Sequence, residues 1–237
     1  MRRPLLTILL TLLAGPAAGP QPATLRVLFI GNSLTAANNL PQMVSDIAEA
    51  AGTPRIQTSA VTAANASLED HWQAGEARRA IARGGWDDVV LQQGPSALPE
   101  SQVLLREYAR RFDSEIRRSG ARAGLYMVWP SKARFRDFDG VSTSYARAAA
   151  DVGGMLFPAG DAWREAWRRD PELPLYGGDR FPPSRLGTYL AALVIYETLT
   201  GRTTVGLPAG VKGTEFTPER VRLLQEAAHR TVKMLKP

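Results

Sequence analysis

The chain has 237 residues, 44% of them hydrophobic, which supplies a real core and suits a single α/β domain. It has no cysteine, so disulfides, thiolate nucleophiles and cysteine-based metal sites are excluded. The formal charge is +6, but the arginines (Arg78, Arg79, Arg83; Arg110, Arg111, Arg117, Arg118) are scattered and mixed with acids, as on solvated helix faces, which argues against a nucleic-acid partner and allows a mild attraction to anionic surfaces.

From the N-terminus, residues 1–23 have the layout of a secretory signal peptide: Arg2 and Arg3, an apolar run from Leu5 to Ala14, then small residues and prolines. The apolar run is about 10 residues, well short of the ~20 that span a bilayer. Cleavage is expected between Ala18 and Ala23. That leaves residues 24–237 as one secreted or periplasmic domain with no membrane span. Without cysteines, such an exported domain must be held together by core burial alone.

Short runs, mostly apolar or β-branched, predict strands at 26–30, 56–62, 89–91, 124–129 and 155–157. The first and third are short apolar stretches, as in strands buried on both faces. Helical spacing predicts 40–51, capped by Asn38-Asn39 and ended by Gly52, and 75–83, ended by Gly84-Gly85. A longer helix over 100–119 carries Leu104, Leu105, Tyr108, Phe112 and Ile116 on one face. Further helices are expected at 142–152, at 161–169 with Asp161 as cap, and at 184–200, which is apolar on several sides. The last, over 218–235, has Thr217 as cap and Pro218 in its first turn. This alternation predicts a parallel five-stranded sheet between two helix layers, a three-layer α/β/α sandwich. The site of such a sheet lies beyond the carboxyl ends of its strands. Ser33, Gln92, Gln93, Pro130 and Ser131 all follow strand ends.

Gly31-Asn32-Ser33 follows the first strand directly. Glycine permits a sharp turn, and a serine there can project its hydroxyl into the cleft. Three residues alone describe an ordinary turn. The glycines of a dinucleotide fingerprint are missing. Four separated strings give the turn a context: LFIGNSLTAANNLPQMV, ASLEDHW, WDDVVLQQGPS and LYGGDRFPPSRLGTYLAALVIYETLTG. In this order and spacing they resemble one branch of the SGNH/GDSL hydrolase superfamily, from Leu25 to Gly201. The resemblance implies a flavodoxin-like α/β fold, a Ser–His–Asp catalytic set and no cofactor. It also implies hydrolysis of acyl esters, often of short acyl groups on carbohydrates or lipids. Ser33 matches the nucleophile, and its N–H an oxyanion donor. The second donor would be the N–H of Ala64 or Asn65, and asparagine holds positive φ better than alanine. Gln92 or Gln93 would supply an amide as the third.

The last block departs from the pattern. Asp179, Pro183 and Ser184 match it, but Pro182 stands where the resemblance expects the histidine. Proline can neither accept nor donate a side-chain proton. The chain has two histidines. His71 is a candidate substitute base, with a backbone-bonded histidine as the plainer role, and His229 reads as solvent-facing on the last helix. Two readings follow: an acyl-ester hydrolase impaired at its base, or an inactive pseudo-hydrolase that binds an acylated glycan, lipid or protein. Metal binding has little support, because Glu69, Asp70 and His71 are adjacent and cannot surround one ion. Trp163 and Trp167, four residues apart, read as one packed helix face before a substrate groove. Lys132, Arg134 and Arg136 read as a solvated loop near the site edge.

Overall fold

The computed structural model describes residues 24–52, 55–208 and 216–235; the expected signal peptide lies outside them. The strands are β1 (Thr24–Gly31), β2 (Arg55–Thr62), β3 (Asp88–Leu91), β4 (Arg122–Tyr126) and β5 (Met155–Phe157). They form one parallel sheet in the order β2-β1-β3-β4-β5. The helices are α1 (Ser33–Ala36), α2 (Leu40–Ala51), α3 (Leu68–Ala74), α4 (Glu76–Ala82), α5 (Pro99–Arg118), α6 (Phe138–Val152), α7 (Ala159–Arg169), α8 (Arg185–Thr200) and α9 (Pro218–Met234). Short 3-10 turns occupy Ala37–Asn39 and Lys132–Asp137.

Two cores flank the sheet. Val27 and Phe29 of β1 join the core formed with α2, α7, α8 and α9. Leu28 and Ile30 join the one formed with α3, α4, α5 and α6. Both faces of β1 are therefore dry, which is why its sequence runs apolar instead of alternating. Helix α8 is buried almost all round, against α2, α7 and α9, and this accounts for its lack of a polar face. The expected three-layer α/β/α sandwich with a five-stranded parallel sheet is the observed architecture.

The order of strands positions the site. From β1 the chain steps outward to β2, then returns across β1 to β3. That reversal opens a crevice at the carboxyl ends of β1 and β3.

Two expected caps are corrected. Asn39 adopts φ 55 and makes no capping bond; Pro41 in the first turn starts α2 instead. Asp161 lies inside α7, where its carboxylate accepts from Ser142 Oγ at 2.8 Å. Helix α3 was not expected. Ser67 and Asp70 form a reciprocal capping box at its start, and Gly75 ends it with φ 74. Among the described residues no helix is long and apolar enough to cross a membrane.

Candidate active site

The turn that carries Ser33 is held from beneath by Gln92. Gln92 is fully buried. Its Oε1 accepts from Asn32 N at 2.8 Å and from Thr35 Oγ1 at 2.7 Å. Its Nε2 donates to Asn32 Oδ1 at 3.0 Å and to Gln93 O. Asn32 in turn caps α1 by accepting from Leu34 N at 3.0 Å. A Cβ at Gly31 would run into both Thr35 Oγ1 and Gln92 Oε1, so only glycine fits above this clamp. The result is a buried, paired base beneath an exposed serine. Ser33 Oγ has no hydrogen-bond partner among the described residues.

The loop after β2 forms a second wall. Asn65 adopts φ 58, a left-handed conformation that asparagine holds more readily than most residues. Asn32 Nδ2 ties this loop to the serine turn by donating to Ala66 O at 3.1 Å. Among the described residues the backbone N–H groups of Ser33 and Asn65 have no acceptor.

Gln93 begins the third wall. Its Oε1 accepts from Leu68 N at 3.1 Å, and its Nε2 donates to Ser96 Oγ at 3.0 Å and Ser101 O at 3.2 Å. Ser96 adopts φ 57. Tyr145, from α6, fastens this wall with its hydroxyl donating to Gln93 O at 2.7 Å; burial pushes the Tyr145 phenol pKa up. Nothing in the apolar spacing around Tyr145 marked it for this task. Both glutamine amides are thus spent on internal bonds. The expected oxyanion role of Gln92 and Gln93 does not fit, and their observed work is to fix the backbone around Ser33.

These walls enclose a cleft of about 550 Å³. Asn32, Ser33, Asn65 and Gln93 form its polar end, while Pro95, Leu98, Leu104, Pro130 and Phe181 supply apolar wall. Arg134 and Asp137, 2.5 Å apart as an ion pair, stand at its edge.

The loop bearing Asp179 and Pro182 closes one side. Gly177 N donates to Pro182 O at 2.7 Å, Trp129 Nε1 to Phe181 O at 3.1 Å, and Asn38 Nδ2 to Pro183 O at 3.1 Å. Asp179 and Pro182 are exposed and absent from the cleft lining, which takes only Phe181 from this loop.

Comparison with solved structures matches the whole frame. A proposed SGNH hydrolase from Slackia heliotrinireducens is 26% identical, with 74% of this chain and 99% of that chain covered at a TM-score of 0.63. A DUF4886 family protein from Bacteroides uniformis is 22% identical over 89% and 95%, TM-score 0.73. A lipase/acylhydrolase from Enterococcus faecalis is 15% identical over 75% and 96%, TM-score 0.61. This is the SGNH/GDSL hydrolase fold. No protein-family model and no curated relative matches the sequence.

The two histidines of the chain are the candidates for a base or a free imidazole. His71 is buried, with Nε2 2.8 Å from Gly31 O. A carbonyl only accepts, so that nitrogen carries the proton and points into the backbone. His71 is also absent from the cleft lining. The substitute-base role does not fit this geometry; the backbone-bonded role does. His229 lies elsewhere, 2.6 Å from the buried Glu197, and so is paired where the sequence suggested free solvent. Trp163 is buried in a stack on Trp129, centroids 3.6 Å apart, and lines no part of the Ser33 cleft. Among the described residues no cluster of three or more His, Asp or Glu side chains could hold a metal ion.

Proposed function

We propose that this chain is an SGNH-type acyl-ester hydrolase that uses Ser33, with turnover impaired by the lack of a side-chain base. One observation carries the reading: an exposed, unpartnered serine hydroxyl opens into the cleft on a turn built to hold it, near two unpaired backbone N–H groups. In the reaction, Ser33 Oγ attacks the ester carbonyl. The N–H groups of Ser33 and Asn65 receive the developing oxyanion, the alcohol leaves, and water hydrolyses the acyl-enzyme. With Pro182 in place of an imidazole, the serine proton passes to solvent, and Asp179 has nothing to orient. Loss of the base in such a site costs on the order of 10⁴–10⁶ in kcat, leaving a residue of catalysis from the oxyanion donors.

The test is hydrolysis of a short-chain aryl ester by the wild type, Ser33→Ala and Pro182→His. Slow turnover that vanishes in Ser33→Ala supports the reading; equal turnover in Ser33→Ala ends it. Pro182→His should raise kcat by about 10²-fold or more, the usual scale of general-base help.

A second reading, a binding protein without turnover, draws on the commitment of His71 to Gly31 O. It expects an acylated glycan, lipid or protein to raise the melting temperature without product. Export is proposed from residues 1–23, and N-terminal sequencing of protein recovered outside the cytoplasm tests it.

A further inference from the structure

We propose that the face around the cleft mouth docks on an anionic lipid surface. The 3-10 turn Lys132–Asp137 divides two hollows. On one side Arg134 and Asp137 line the Ser33 cleft. On the other, Phe135 lines a second hollow of about 530 Å³ with Trp167, Met234 and Leu235.

Among the described residues four of the six exposed large hydrophobic side chains line these two hollows. Leu98, 48% exposed, lines the Ser33 cleft. Phe135, Met234 and Leu235 border the second hollow. Among the described residues Val103 and Val205 are the members of this class that line neither hollow. Apolar exposure concentrated in this way marks a contact surface.

Charge selects the occupant. Arg134 is matched by Asp137, and Arg164 by Asp139. Lys132 and Arg136 are exposed and have no ion-pair partner among the described residues. The turn therefore presents Phe135, 51% exposed, next to Arg136 and close to Lys132. An aromatic ring between cations suits a headgroup layer: the ring enters the acyl boundary while the cations meet lipid phosphates. An acylated lipid as the ligand of Ser33 rests on the hydrolase reading; the docking itself does not need turnover.

Hydrogen exchange on the full chain tests this, with phosphatidylglycerol vesicles beside phosphatidylcholine vesicles. Exchange in segments 95–104 and 132–138 should slow several-fold on the anionic vesicles and stay unchanged on the neutral ones. A Lys132→Glu, Arg136→Glu double variant should lose that protection while α8 exchanges normally. Ser33→Ala should keep it, which separates this proposal from the fate of the hydrolase reading. Equal exchange with and without anionic vesicles overturns the proposal. So does protection produced by raising protein concentration alone, which would mark contact between copies of the chain.

Discussion

Gln92 is a load on which the serine turn stands, and its loss should be felt in stability. Replacing it with leucine leaves Asn32 N and Thr35 Oγ1 without their buried acceptor. Each buried group left unpaired costs about 1–3 kcal/mol. Urea denaturation of Gln92→Leu should show a loss of about 2–6 kcal/mol for the two, and an unchanged midpoint would show the clamp idle. At Asn65, φ 58 predicts a second contrast. Asn65→Gly should fold as the wild type does, whereas Asn65→Val should lower the melting temperature, because a β-branched residue is strained there. The sequence already placed Ser33 at a strand end and showed the proline at 182. It could not show that both glutamines were spent, because an amide's partners are set by loops that meet only in the folded chain.

At the scale of elements, the aromatic stack behind the site joins the core to the loop that carries Pro182. Trp163 packs on Trp129, and Trp129 Nε1 donates to Phe181 O. Gly187 lies so close that a Cβ would strike Trp163 and Leu175 O. Trp163→Ala should cost about 3–5 kcal/mol, the usual scale for removing a buried large aromatic, as measured by chemical denaturation. Strands and long helices were legible from apolar runs and glycine stops because burial imposes those patterns directly. Helix α3 was not, although Ser67 and Asp70 carry its capping signal, because only Leu68 and His71 of its seven residues are buried and a histidine interrupts the apolar stripe, whereas the equally short α4 buries Ala77, Ala80 and Ile81. The Asn38-Asn39 cap failed for another reason: left-handed backbone at both residues turns the chain into α2 without a side-chain bond.

At the scale of the whole molecule, acid should loosen the seam between α5 and α6. Asp151 accepts from Arg106 at 2.6 Å and Arg110 at 2.8 Å. The Arg106 hydrogen bond leads in holding its carboxyl below the usual 3.8. A carboxyl lowered in the folded state adds stability that is full above 3.8 and is lost as pH falls through the folded value. The stability gap between wild type and Asp151→Asn should therefore be present at neutral pH and close in strong acid. A gap independent of pH would rule this out.

The bond from Asn32 N to Gln92 Oε1 spans 60 positions of chain. It can form only once β3 has docked beside β1. Before that moment the turn has only the local cap from Leu34 N to Asn32 Oδ1, and the clamp beneath Ser33 is unmade. Reactivity of Ser33 toward an organophosphorus probe should therefore rise in step with sheet assembly during refolding and serve as a clock for it, lagging any signal from early helix formation.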